Sequence, residues 1–457
     1  MDVKSQKGRL LEICSNKDVD YRKEIIAGIT TFLTMAYIIA VNPSILGATG
    51  MPTGALVTAT CLSAGLTTII MGVFANLPFA LASGMGLNAY FAFSVVLGMN
   101  ISWEVALTAV FVEGIIFIIL SLLKVREAVV RAIPASLKYA VTAGIGLFIA
   151  FIGFQGAKIT VADESTLVKL GHFTSPTFYI ALIGVVIIVL LEKKGVKGSI
   201  LFGILGSTVL AWIYALINPE YAASLGIVLP DGIFRYESIA PIAGKIDFEY
   251  MLHPETIGTF FTIVCTFLFV DFFDTIGSFV GVASKAGMLD KDGNIPNGGK
   301  ALLVDAVGTT AGACLGVSTV TTFVESSTGV AAGGRTGWTA VTTGALFLLA
   351  MFFSPIFMAI PSCATAPALI YVGYLMLSEV KKIDFNDLTQ GVPAFLTIAL
   401  MPMTYSIGDG LTFGVLSYVV LNVLYNIFFA KNKEDKHEIS WIMILLGVVF
   451  LLKLIFM

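Results

Sequence analysis

The sequence predicts an all-α polytopic membrane protein. Fourteen spans form two inverted seven-span repeats, with short extended segments in spans three and ten. Three observations predict it: the composition, the spacing of apolar runs, and a self-resemblance seven runs apart. The chain has 457 residues, 57% of them hydrophobic and 12% charged, with a mean hydropathy of +0.92. A soluble domain carries roughly twice that charge fraction, about 25%. In lipid the backbone must satisfy its own hydrogen bonds, and long apolar runs do so as helices. A net charge of −3 argues against nucleic acid as a partner. Cys14, Cys61, Cys265, Cys314 and Cys363 match no metal or disulfide spacing and read as small buried hydrophobes. His172, His253 and His437 lie in polar connections, which argues against a buried histidine relay or haem ligand. Residues 1–23 are hydrophilic and the first apolar run can already span, so no signal peptide is expected.

Apolar runs of about 17–25 residues can span. They fall near 24–42, 54–75, 79–97, 103–123, 138–154, 176–191 and 198–217 in the first half. In the second half they fall near 256–282, 299–315, 318–334, 339–354, 362–379, 391–405 and 409–428. A last run, 440–456, has no counterpart in the first repeat; a fifteenth span and an interfacial helix are both open. Basic residues test the count. They cluster at the N-terminus (Lys4, Lys7, Arg9, Lys17, Arg22, Lys23) and after span four (Lys124, Arg126, Arg131). Further clusters follow spans six (Lys193, Lys194, Lys197), twelve (Lys381, Lys382) and fourteen (Lys431, Lys433, Lys436). All are even-numbered connections, so they share one side. The connection 218–255 falls on the other and is acidic, with Glu220, Asp231, Glu237, Asp247, Glu249 and Glu255 against Arg235 and Lys245. The positive-inside rule then makes the N-terminus cytoplasmic in a multi-pass plasma-membrane protein.

The halves echo each other in order. GVFANLPF (72–79) pairs with GVSTVTTF (316–323), and Thr31-Phe-Leu with Thr266-Phe-Leu. Ile133-Pro pairs with Ile360-Pro, and Phe202-Gly with Phe413-Gly. Matching features seven spans apart require inverted repeats, because seven is odd.

Spans three and ten are poor helices at their starts. Pro78, the paired glycines Gly84 and Gly86, and the Ser/Thr/Val run 317–322 all disfavour helix. The expectation is an extended half followed by a helical half, with two half-helix N-termini aimed at one midplane site. A Gly-kinked continuous helix is the alternative. Asp271 and Asp274 lie in the apolar stretch 256–282, and Glu325 in 315–332. Ionisable groups at membrane depth cost several kcal/mol without a partner or a cavity, so each is a functional candidate. Asp271, Asp274 and Ser278 share a helix face at i, i+3, i+7. Asn88 opens the helical half of span three. A structural role, bonded to a neighbouring hydroxyl or N–H, is the competing reading, strongest for Asp271 and Asn88. Arg335 reads as snorkelling at the cytoplasmic end of span ten.

ASGMGLNAYF (82–91), VDFFDTIG (270–277), and TFVESSTG (322–329) with GGRTG (333–337) resemble the signatures of AzgA-like purine permeases, a branch of the nucleobase–cation symporters. YRKEIIAGITTFLTMAY (21–37) resembles the first span of that branch. The resemblance covers about residues 10–428. It implies a uracil-permease-like core and gate. The core is 24–126 and 256–358; the gate is 127–217 and 359–430. A cytoplasmic N-terminus (1–23), an external connection (218–255) and a C-terminal segment (431–457) complete the chain. It implies substrate binding by Asn88, Asp274, Glu325, Gly84 and Phe323, and proton coupling through Asp271, Asp274 and Glu325. Relatives usually have Pro where this chain has Ser83.

The implied substrate is hypoxanthine, guanine or adenine, imported with protons or with sodium as coupling ion and no other cofactor or metal. Carboxylates accept from ring N–H groups, while Asn88 and half-helix N–H groups can donate to ring acceptors. Tyr37, Tyr90, Phe323 or Tyr371 could stack on the base. A buried acid can take up a proton on one side and release it on the other. The partners are a purine base and the bilayer, and a homodimer is open. Alternatives are a carrier of uracil, xanthine or a small anion and, remotely, an intramembrane aspartyl protease, whose motif Ser406-Ile-Gly-Asp409 narrowly misses.

Overall fold

The structure, a computed structural model, describes residues 19–123, 133–285, 288, 295, 297–430 and 436–456. Cys14 and the basic residues Lys4, Lys7, Arg9, Lys17, Lys124, Arg126, Arg131, Lys431 and Lys433 lie outside the described residues.

A helix lies in each predicted span. In the first half these are α1 (Tyr21–Met35), α2 (Ile38–Leu46), α3 (Thr53–Ile70), α4 (Met85–Ala89), α5 (Trp103–Leu122), α6 (Ala135–Gly156), α7 (Pro176–Lys193) and α8 (Ser199–Ile217). In the second half they are α9 (Ile257–Lys285), α10 (Gly298–Leu315), α11 (Ser326–Ala331), α12 (Gly337–Ala350), α13 (Ser362–Leu377), α14 (Leu388–Met403) and α15 (Ile407–Phe428). The helix α16 (Trp441–Phe456) follows. Eight helical stretches among the described residues are long and apolar enough to cross a membrane, and several shorter ones are apolar.

Three local features are absent from the sequence reading. The first predicted span divides at Ala36–Tyr37 into α1 and α2. Residues 71–75 and 90–98 are wound as π-helix. A hairpin joins α6 to α7, with β2 (Thr160–Asp163) antiparallel to β3 (Leu167–Leu170).

Packing falls into two groups. One contains α1, α3, α5, α10 and α12; the other contains α6, α7, α8, α13, α14 and α15. Close contact uses glycine on both sides. A Cβ at Gly337 would strike the Gly72 backbone, and one at Gly373 the Gly146 carbonyl oxygen. Small residues let helix backbones approach where no hydrophobic force distinguishes protein from lipid. The helix α16 lies against α15 with Met443, Leu446 and Phe450 buried, and its Phe450 ring is 6.0 Å from Phe269 of α9.

The connection 218–255 folds back onto the helix ends. Arg235 N–H donates to the Phe352 carbonyl at 2.9 Å and Gly244 N–H to that of Cys314 at 2.7 Å. Asp231 and Glu237 both pair with the Arg235 guanidinium, at 2.7 and 2.5 Å. The pairing holds the Asp231 carboxyl below its ordinary range.

Candidate functional site: a crossing of two extended segments

Spans three and ten are extended at their starts, as their residues predict. Asn76 takes a left-handed conformation with φ 53°, which ends the preceding helix. Gly316, at φ 93°, does the same before span ten. The strand β1 (Leu81–Ser83) then pairs antiparallel with β4 (Val320–Thr322), matching Leu81 to Thr322 and Ser83 to Val320. Backbone groups the two short strands leave over are met from outside. The Thr68 hydroxyl accepts from Leu81 N–H at 2.9 Å and contacts the Leu81 carbonyl at 3.0 Å. Thr309 donates to the Val320 carbonyl at 3.0 Å. Ala80 N–H donates to Ser326 Oγ at 2.9 Å. Such satisfaction is what buried irregular backbone requires.

The helical half of span three, α4 with its π-continuation, reaches Gly98, whereas that of span ten is short. The α-helix α4 has five residues before its π-continuation, and α11 has six. The first N–H groups of α11 are not open donors. Those of Ser326, Ser327 and Thr328 bond to the carbonyls of Phe323, Val324 and Glu325. The expected donor role of this helix end is thus corrected: local turns use those groups.

Two of the candidate acids meet at the crossing and are half-buried. Asp274 Oδ2, on α9, accepts from the Thr321 hydroxyl at 3.2 Å. Gly84 lies beside it: a Cβ there would sit 3.4 Å from that oxygen and 3.3 Å from Thr321 Oγ1. Glu325 Oε1 accepts from the Tyr37 hydroxyl at 2.7 Å. The Asp274 and Glu325 carboxylates lie within electrostatic reach of each other. Phe323 is mostly buried, its N–H bonded to the Ala80 carbonyl at 3.0 Å.

Asn88 is fully buried, and its Oδ1 accepts from Ser83 Oγ at 2.7 Å and from Ser318 Oγ. Asp271 belongs to a different set of contacts. It is fully buried, and its Oδ1 accepts from Thr275 Oγ1 at 3.0 Å. Thr275 also lies 3.1 Å from Asp305 Oδ2. Glu113 of α5 is within hydrogen-bonding reach of Asp271, and its Oε2 accepts from Thr319 at 3.0 Å. Asp271 and Asp274 are three residues apart, but one faces α5 and α10 and the other the crossing.

Sequence reasoning passes over Glu113 and Asp305. Both are acids inside apolar spans, so the signal that picks out Asp271 picks them out too. It also passes over Glu24. That carboxylate is buried and accepts from the N–H groups of Arg335 (2.9 Å), Thr336 (3.2 Å) and Thr339 (3.2 Å), at the start of α12. Arg335 is exposed, and rather than only reaching outward it donates to the carbonyls of Val330 and Gly334 at 2.6 and 2.7 Å, closing the end of α11.

Two expected stacking residues do other work. Tyr37 is a buried hydrogen-bond donor, and Tyr90 is buried edge-on against Phe267 at 4.8 Å. Among the described residues no group of three or more His, Cys, Asp or Glu side chains is arranged to hold a metal ion.

Comparison with known proteins agrees with this architecture. The profile of the Permease family matches residues 22–411. The chain is 44% identical over 447 residues to the guanine/hypoxanthine permease PbuG of Bacillus subtilis, covering 96% of this chain and 97% of that protein. It is 40% identical over 436 residues to the adenine permease AdeP of Escherichia coli, covering 95% and 93%. Among solved structures, the transmembrane domain of the cyanobacterial bicarbonate transporter BicA superposes with a TM-score of 0.61. That match has 13% identity and covers 86% of this chain and 97% of that one, a likeness of fold.

Proposed function

The chain belongs to the Permease family, a family of multi-pass membrane transporters and not of enzymes, and from that premise we propose that it imports purine nucleobases by proton symport. Family membership also removes the aspartyl protease alternative. Long, near-complete similarity to permeases named for guanine, hypoxanthine and adenine supports the substrate class. The observation that carries the site is the crossing of β1 and β4 with two half-buried carboxylates, Asp274 and Glu325, beside it. Purines present ring N–H groups, and carboxylates are acceptors only. A small-anion carrier would need donors or cations there, so the acids favour a neutral base.

In this reading Asn88, Asp274, Glu325, Gly84 and Phe323 contact the base. Asp274 and Glu325 carry coupling protons, with Asp271 in the adjoining buried cluster. Fourteen spans in two inverted repeats are supported by two equivalent devices. Thr68 before span three and Thr309 before span ten each hold a carbonyl of the following extended segment. The division into core (24–126, 256–358) and gate (127–217, 359–430) is supported by the two packing groups. Transport is then movement of core against gate, with the N-terminus cytoplasmic in the plasma membrane.

The test is radiolabelled hypoxanthine uptake, with competing bases, in cells lacking their own carriers. Saturable uptake that collapses with a protonophore is expected. Glu325→Ala and Asp274→Ala should abolish it while still reaching the membrane. Persistent sodium-dependent uptake would refute proton coupling, and no competition by any purine would refute the substrate class.

A further inference from the structure

Asn88 is held by both extended segments at once. Ser83 ends β1, and Ser318 lies two residues before β4. Gly84 N–H donates to the Thr319 carbonyl at 3.0 Å and ties the segments together between them. The Asn88 Oδ1 accepts from Ser83 Oγ at 2.7 Å and from Ser318 Oγ, and the two hydroxyl oxygens are 3.1 Å apart. The Asn88 Nδ2 is buried and has no hydrogen-bond partner among the described residues.

Counting protons decides which end of the amide faces the serines. A hydroxyl has one proton, a carboxamide nitrogen two and its oxygen none. With Oδ1 toward the serines, both hydroxyl protons find an acceptor and only Nδ2 is left over. Turned over, Nδ2 would donate to both hydroxyls. One serine proton could then pass to the other serine; the second proton and Oδ1 would both lack partners. The first arrangement leaves fewer buried polar groups unmet.

We propose that Ser83 and Ser318 are positioning residues for substrate selection. They hold the Asn88 carboxamide with its nitrogen as the open donor, so this position takes bases that present an acceptor, a ring nitrogen or a carbonyl oxygen. Together with the acceptors Asp274 and Glu325, the site then has one fixed donor. Freed from the serines, the amide can present either end, and its discrimination falls. The inference rests on the purine reading above and names the chemistry of that site.

The test measures inhibition of hypoxanthine uptake by analogues that each lack one acceptor. In these N3, N7 or N9 is replaced by C–H, or O6 is removed. Asn88→Ala is expected to lose discrimination against one analogue and so identify the acceptor it meets. Ser83→Ala combined with Ser318→Ala should weaken hypoxanthine binding about tenfold, the equivalent of one hydrogen bond. Binding of that one analogue, the maximal rate and membrane abundance should stay near wild type. Combining Ser83→Thr with Ser318→Thr, which keeps both hydroxyls, should restore discrimination. If the double alanine variant fails to reach the membrane, each single alanine variant should show a loss of about threefold. Full discrimination in alanine variants, or an equal loss against every analogue, would overturn the proposal. A wild-type protein that neither carries nor is inhibited by any purine would instead overturn the purine reading, and with it this inference.

Discussion

Tyr37 donates to Glu325 across the crossing at 2.7 Å, linking the break in the first span to the start of α11. A hydrogen bond to a charged acceptor contributes about 1.5–3 kcal/mol. Tyr37→Phe keeps the ring and removes the donor. Uptake efficiency should therefore fall by about ten- to a hundredfold, with membrane abundance little changed. Wild-type uptake in this variant would show that the phenol does not position Glu325. Glu325→Gln keeps the shape of the side chain and removes the proton it could carry. It should still bind hypoxanthine, while uptake no longer responds to the proton gradient; a retained response would take Glu325 out of the coupling step. Single acids were legible from sequence because an apolar span throws any charge into relief. Their partners were not, since Thr321, Tyr37 and Thr319 are ordinary residues until the fold brings them close.

At the scale of elements, the extended starts of spans three and ten follow from local chemistry. Proline lacks an N–H, glycine weakens helix and β-branched residues resist it. That the two starts pair with each other is a tertiary fact. Helix contact is similarly sensitive. A Cβ at Gly337 would overlap the backbone of Gly72, whereas nothing lies within 4 Å of one at Gly258. Overpacking of this kind costs about 1–3 kcal/mol. Gly337→Ala should thus lower the melting temperature and membrane abundance, and Gly258→Ala should not. Equal behaviour of the two variants would show that α12 and the π-helical segment 71–75 can separate without cost.

For the whole molecule, the proposed topology places the acidic 218–255 connection outside and the Lys436 region inside. Single cysteines near Asp231 and near Lys436, with the five natural cysteines removed, report this by impermeant thiol labelling of intact cells. Labelling near Asp231 alone is expected. Labelling near Lys436 alone would reverse the orientation, and labelling at both would break the odd span count between Asp231 and Lys436 that the inverted repeats require.

The sequence by itself determined the membrane class, the positions of the helices, the irregular starts of spans three and ten, and the family. Each of these rests on local signals: hydropathy over one span, helix-breaking residues, or a contiguous motif. The tertiary structure alone decided that β1 pairs with β4 and that Asp274 and Glu325 meet there. It also decided that Asp271 turns instead to Glu113 and Asp305, and that Asn88 is clasped by Ser83 and Ser318. The contact of Asn88 with Ser318 alone joins residues 230 positions apart. Periodicity places a side chain on a face of its own helix, but which neighbour covers that face depends on how the helices pack.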